Sequence, residues 1–354
     1  MNRINKIIES SIKVFKDCTL RNGAIVAANS AKSYFPDGAK NYRFVWLRDA
    51  SFVCLAARIL GIDIHEKFFD WCQNVEGWKE TGLYFEKYNI RGKKARHNFQ
   101  PDQNGMLLIT LWDYIKTSKP NVKKYEQIII KTAEGLCDIW GKDHFKIVTQ
   151  DLWEERFCFP DFKENFTYSL GACSRGLYCA HDLIPNERWQ RVADKMKHLI
   201  LSQPGDFFYR SFGMISDRSI DSSLLGLVWP FGIVGAKEPR MVNTVNIIES
   251  KLRKNWGIYR YENDLYDGWM YKGKIQRNKG AGYWSLLNFW MSIYYIEKGD
   301  KDKAFIYYKK IIDDHSSVCF IPEQIFDNTY QISVLPLAWS HAMFIIASEK
   351  FGLI

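Results

Sequence analysis

The stretch DLWEERF (Asp151–Phe157) sets three carboxylates within five residues and places a tryptophan among them. Acidic runs on solvated faces seldom carry a large aromatic at their centre. Two readings follow: a charged surface, or half of a reacting site in which one carboxyl keeps its proton because its neighbours are charged. A second carboxylate, Glu323 of CFIPEQIFD (Cys319–Asp327), stands among Phe320, Ile321, Pro322, Ile325 and Phe326. In such surroundings it is desolvated and its pKa is raised, unless an arginine pairs it or the loop leaves it in water. NYRFVWLRDAS (Asn41–Ser51) supplies Arg48 and Asp49, which can fork hydrogen bonds onto vicinal hydroxyls, and Trp46, which offers a stacking face. The plainer alternative for Asp49 is a helix-cap carboxylate beside a neighbouring arginine. QPDQNG (Gln100–Gly105), taken alone, reads as a cap and turn. Two carboxylates on separate loops, with Trp and Tyr around them, suit glycoside hydrolysis. That chemistry needs one protonated acid for the leaving oxygen and one ionised carboxylate for water or the anomeric carbon.

These clusters need a scaffold that brings them together. Hydrophobic periodicity predicts helix after helix and no strand series: about 3–17, 49–61, 64–74, 104–117, 123–140, 166–184, 186–201, 220–232, 239–253, 281–297, 302–313 and 335–351. The odd members are amphipathic, with stripes such as Ile4, Ile7, Ile8, Ile12 and Phe15, or Trp189, Val192, Met196 and Leu199. The even members, such as YWSLLNFWMSIYY (Tyr283–Tyr295) and LPLAWSHAMFIIA (Leu335–Ala347), are apolar nearly all round and must be buried on all sides. Links from an all-round helix to the next amphipathic one are short. Those in the other direction, 18–48, 75–103, 141–165, 254–280 and 314–334, are long, and long connections in a compact domain usually carry function. Six outer and six inner helices joined in this way predict an all-α double ring, an (α/α)6 barrel, with the long loops converging at the N-termini of the inner helices. A two-domain all-α array is the alternative. No Ser/Pro-rich linker divides the chain, so a single domain over 1–354 is expected.

Composition agrees with a large core: of 354 residues, 47% are hydrophobic and 16% aromatic. The net charge of +9 permits an acidic partner, but the basic residues are scattered, and RGKKAR (Arg91–Arg96) reads as a solvated loop. No nucleic-acid partner is expected. No run approaches the roughly 18 apolar residues of a membrane span, and the charged, amphipathic start lacks an apolar signal core. Eight cysteines without a CxxC pair read as reduced core residues of a cytoplasmic protein. GACSRG (Gly171–Gly176) has the wrong spacing for a nucleophile elbow and reads as helix interior. The histidines form no HExxH, and the spaced acids of YENDLYDG (Tyr261–Gly268) lack the EF-hand pattern, so neither metal nor cofactor is expected.

The order VWLRDAS, QPDQNG, DLWEER followed by FTYS, RYENDLYDGW, and PEQ ahead of an apolar helix containing WSH resembles the catalytic domain of glucoamylases and related glycoside hydrolases of family 15. The likeness runs from about residue 20 to 350. It implies an (α/α)6 barrel that hydrolyses terminal α-glucosidic bonds with inversion and without a cofactor, on an α-linked gluco-oligosaccharide or polysaccharide. Carried over by position, it makes Glu154 the general acid and Glu323 the general base. It assigns Tyr42, Arg48 and Asp49 to the terminal sugar, Arg260 to a further sugar-binding cation, Trp153 to a wall and Glu155 to binding beside the acid. Trp46, Gln100 and Asp102 complete the expected sugar-binding set. The chain departs from relatives that carry a β-sandwich ahead of the barrel or a starch-binding module. Because the family also includes trehalases and dextran-acting enzymes, the linkage stays open. From another class, a non-catalytic carbohydrate-binding barrel is the alternative; two separate carboxylates argue against it, since binding alone does not require both.

Overall fold

Two kinds of helix alternate along the chain, and burial separates them. The computed structural model describes residues 2–268, 280–314, 319–329 and 331–354. The helices are α1 (Asn2–Cys18), α2 (Leu47–Ile59), α3 (His65–Cys72), the single turn α4 (Trp78–Thr81), α5 (Pro101–Ser118), α6 (Glu126–Ile139), α7 (Thr167–Leu183), α8 (Glu187–Leu201), α9 (Pro239–Leu252), α10 (Ser285–Lys298), α11 (Lys301–Asp314) and α12 (Ala338–Lys350). Nearly every side chain of α2, α10 and α12 is buried, whereas α8 buries Trp189, Ala193, Met196 and Ile200 and turns the rest outward. A helix apolar on all sides lies inside a ring of others, and one with a stripe covers it.

The inner ring closes on itself. α2 packs on α5, α5 on α7, α7 on a 3-10 segment at Ser222–Leu227, that segment on α10, α10 on α12 and α12 on α2. Outside it, α1 lies against α12, α6 against α5 and α7, α8 against α7, α9 against the 3-10 segment and α11 against α10. α3 reaches α5 through His65 stacked on Tyr114, centroids 4.7 Å apart. This is the (α/α)6 barrel. α5 and α7 cross very closely: a Cβ built on Gly105 would stand 2.4 Å from the Ala172 carbonyl oxygen, and one on Gly176 would stand 2.7 Å from that of Gly105.

The sequence-based expectation fails at one inner position. Where periodicity predicts a helix over 220–232, only the 3-10 segment forms. Pro230 has no N–H to give to a helix and disfavours helical backbone at Trp229. Gly226 is there because a Cβ would meet the rings of Phe231 and Tyr168 at 2.9 and 3.0 Å. Several boundaries also move by a few residues, among them the starts of α2, α5, α10 and α12. Of the QPDQNG residues, read as cap and turn, Gln100 is the cap and Pro101 to Gly105 already belong to α5, which has proline in its first turn.

The long connections carry short antiparallel pairs. β1 (Thr149–Gln150) pairs with β2 (Phe157–Cys158), β3 (Asn165–Phe166) with β4 (Ser211–Phe212), β5 (Arg253–Lys254) with β6 (Gly257–Ile258), and β7 (Tyr283–Trp284) with β8 (Gln324–Ile325). Among the described residues no helix is long and apolar enough to cross a membrane. All eight cysteines are free, seven of them buried. Trp269 of the RYENDLYDGW motif and His315 lie outside the described residues.

Candidate functional site

A cavity of about 690 Å³ opens where the inner helices begin. Tyr42, Trp46, Arg48, Asp49, Trp153, Glu154, Glu155, Arg260 and Glu323 all line it, although they come from four separate stretches of the chain.

The acidic trio divides into three jobs. β1 and β2 form a hairpin whose tip is residues 151–156. Asp151 lies inside that tip: its Oδ1 accepts the N–H groups of Glu155 at 2.8 Å and Arg156 at 3.0 Å. Burial pushes its pKa up to about 6, and those N–H donors work against the rise. The tightened turn holds Glu154 in the left-handed region, φ +64°, and points it into the cavity. Glu155 turns to Arg260, whose Nη2 donates to its Oε1 at 2.7 Å.

Glu154 accepts from Trp46 Nε1 at 2.5 Å and from Lys87 Nζ at 2.9 Å. Its side chain is 26% exposed. Burial raises its pKa, Lys87 opposes the rise and Glu86 adds to it. The like charge that matters is therefore Glu86, and not Asp151 or Glu155 as the clustering in sequence suggested.

Glu323 is 3% exposed, and burial lifts its carboxyl to about 7 against the pull of Tyr42, Lys40 and Arg260. Its Oε2 has no hydrogen-bond partner among the described residues. The loop that carries it is fastened to α10 and α12. Glu323 N–H donates to the Val334 carbonyl at 2.9 Å, and its own carbonyl accepts from Ser285 N–H at 3.2 Å. His341 of the WSH stretch accepts the Ile321 N–H through Nε2 at 2.9 Å, while its Nδ1 stands 2.8 Å from Ser11 Oγ. Ser340 Oγ donates to the Pro322 carbonyl at 2.8 Å. These buried polar residues of α12 hold the loop in place.

Arg48 and Asp49 open α2, 3.3 Å apart, with the guanidinium 5.2 Å from the Trp339 ring. Burial pushes Asp49 up to about 6, with Arg48 opposing. Gln100 and Asp102, expected to touch sugar, do not line the cavity. They are fully buried behind Arg48, whose Nη1 donates to Gln100 Oε1 at 3.2 Å and Asp102 Oδ2 at 3.0 Å. Starting α5 at Pro101 turns both side chains inward, where they brace the arginine.

Arg260 is held by Asp264, which accepts from Nε and Nη2 at 2.7 Å each. Of the spaced acids of YENDLYDG, Asp264 thus clamps this cation, while Glu262 pairs with Lys251. Its guanidinium lies within about 5 Å of the rings of Trp153, Tyr261, Tyr266 and Trp284. Trp153 is locked by its indole N–H, which lies 3.1 Å from both Asp221 oxygens. Tyr42 and Tyr266 share a hydrogen bond of 2.7 Å.

Sequence reasoning missed several lining residues. Glu86 and Lys87 sit in a loop without any pattern, and only the fold brings them to Glu154. Trp284 and Trp339 were legible only as helix residues. Their signal is position, since Trp284 immediately precedes α10 as Trp46 precedes α2.

The family model of glycosyl hydrolases family 15 matches residues 8–349. The chain belongs to that family. An uncharacterized glycosyl hydrolase of Methanocaldococcus jannaschii is 28% identical over 98% of this chain and 56% of its own length. Trehalase 2 of Sulfolobus acidocaldarius is 26% identical over 75% of this chain and 48% of its own. The chain thus spans about half the length of these relatives. A glycosidase solved in complex with glucose shares the fold, with a TM-score of 0.83 at 20% identity over 100% of this chain and 98% of that one.

Proposed function

We propose that this chain is an inverting, exo-acting α-glucoside hydrolase that releases glucose from non-reducing ends of α-gluco-oligosaccharides or α-glucans, with 1–354 as one catalytic unit. The observation that carries the reading is the pair Glu154 and Glu323: two carboxyls from separate loops that line one cavity, each pushed toward its protonated form by burial. In this account the terminal glucose packs against Arg48, Asp49 and Trp339. Buried polar atoms on lining residues (Glu323 Oε2, Trp284 Nε1 and Trp339 Nε1) lack hydrogen-bond partners among the described residues, and sugar hydroxyls would satisfy them.

Glu154 gives its proton to the glycosidic oxygen as the C1–O bond breaks. Glu323 takes a proton from a water whose oxygen forms the new bond to C1 on the opposite face. Glu154 ends ionised, held by Lys87 and Trp46, and Glu323 ends protonated. Solvent restores both. The two carboxyls should then stand roughly 6.5–9.5 Å apart, with the water between base and sugar. Tyr42, Lys40 and Arg260 all favour the ionised form of Glu323, the state a base requires.

The relative named trehalase favours a second reading, in which the bond cleaved joins two anomeric carbons. Free cysteines suit a reducing compartment, so we place the activity in the cytoplasm. The test is 1H NMR of a panel of α-linked disaccharides, including maltose, isomaltose and trehalose, with Glu323→Gln as control. β-Glucose appearing before mutarotation on any member is expected. α-Glucose appearing first, or no release from any member, would overturn the proposal.

A further inference from the structure

We infer that Glu86 is a positioning residue that keeps the proton on Glu154, through a partly buried cluster of two carboxyls and one lysine. The inference rests on the reading of Glu154 as the acid. Lys87 Nζ lies 2.9 Å from Glu86 Oε1 and 2.9 Å from Glu154 Oε2, so one cation serves two carboxyls. The Glu86 side chain is 3% exposed, and its other oxygen accepts from Asn98 Nδ2 at 2.9 Å. Its backbone is pinned as well. Its N–H donates to the Asn98 carbonyl at 2.8 Å, and its carbonyl accepts from Gln103 Nε2 at 3.0 Å.

Charge counting decides where the proton sits. With both carboxyls ionised the cluster carries a net negative charge in a poorly solvated place; with one proton it is neutral, and burial favours the neutral state. Each carboxyl accepts from Lys87 and from one neutral donor, Asn98 for Glu86 and Trp46 for Glu154, so the donors do not separate them. The role of acid requires the proton on Glu154 and leaves Glu86 as the ionised member. The proton therefore resides on Glu154, the more exposed of the two lining carboxyls. The directions agree, since Glu86 is lowered and Glu154 raised. The pair titrates as a unit. When Glu154 passes its proton to the glycosidic oxygen, it becomes the carboxylate, and Lys87 and Trp46 are already within 2.9 and 2.5 Å to stabilise it. Neither Glu86 nor Lys87 exchanges a proton with the substrate.

Other charged or titratable groups act on Glu154: Lys40 ahead of α2, Arg48 and Asp49 of α2, Asp102 of α5, and the phenols of Tyr42 and Tyr266. They are unchanged in the variants below, so they cancel in the comparison.

The test is a pair of substitutions whose effects have opposite sign. Glu86→Gln leaves Lys87 with Glu154 alone, a pair that is neutral without the proton. Lys87→Met leaves two carboxyls without a cation. On a disaccharide substrate, the basic limb of the kcat–pH profile should move down by about one pH unit or more in Glu86→Gln and up by a similar amount in Lys87→Met. On α-glucosyl fluoride, whose departure needs little protonation, the profiles should show no such opposed displacement, and turnover there reports an intact site. Limbs that stay put, or move in the same direction, would overturn the inference. 13C-NMR titration of the glutamate carboxyls reads the same cluster without turnover. A Glu154 carboxyl that titrates no lower in Glu86→Gln than in the wild type would overturn it. A wild type inactive on every α-glucoside, the fluoride included, would instead sink the proposed function.

Discussion

Burial lifts Glu323 to about 7 and Asp49 to about 6, so both carboxyls are held where ionisation costs the folded state. For Glu323 the pKa in the folded chain lies above the ordinary 4.5. The folded state therefore binds the proton more tightly, and stability falls as pH rises from about 4.5 through about 7. Glu323→Gln removes that dependence. Denaturant unfolding should find the variant more stable than wild type at pH 8 by up to about 3 kcal/mol, with the difference fading near pH 4.5. A difference independent of pH would mean that Glu323 is solvated or paired. Asp49→Asn should cost about 3 kcal/mol of transition-state binding, on the order of 100-fold in kcat/KM, because a sugar hydroxyl loses a charge-assisted partner in a dry pocket. Unchanged activity would reduce Asp49 to a helix cap. At this scale the sequence revealed which stretches carry chemistry but not which side chain does what. The partition of Asp151, Glu154 and Glu155 depends on Arg260 and Lys87, which lie far away along the chain. The inward turn of Gln100 and Asp102 depends on where α5 starts.

The helices were legible because each repeats a strong physical signal. Apolar residues on every side mark α10 and α12, and a single stripe marks α1 and α8. The signal fails at Ser222–Leu227, where Leu224, Leu225 and Leu227 are buried as an inner helix requires but Pro230 forbids the continuation. Periodicity also says nothing of how closely two helices approach. α5 and α7 meet through Gly105 and Gly176, so Gly105→Ala would drive a Cβ into the Ala172 carbonyl. It should destabilise the fold by about 2–3 kcal/mol, visible as a fall in Tm of several degrees. Gly176→Ala forces the same two helices apart, so the double variant should lose less than the sum of the singles. Strict additivity would indicate that the two glycines do not share one contact.

In the molecule as a whole, the alternation of helix types brings the start of every inner segment to one end. The loop of Glu154 reaches the mouth from between α6 and α7, and that of Glu323 from between α11 and α12. That convergence was legible from the alternation of short and long links; the distance between the two carboxyls was not, because it depends on the β1–β2 and β7–β8 pairings that no hydrophobic period announces. The central claim is the division of labour between Glu154 as acid and Glu323 as base. It is tested most directly by hydrolysis of α-glucosyl fluoride and maltose, or whichever disaccharide is cleaved, with Glu154→Gln and Glu323→Gln. Glu154→Gln should lose nearly all activity on the disaccharide yet retain much of it on the fluoride, whose leaving group needs little protonation, while Glu323→Gln should lose both, since water must be activated in either case. Equal failure of the two variants on the fluoride, or retention by Glu323→Gln instead, would contradict the account.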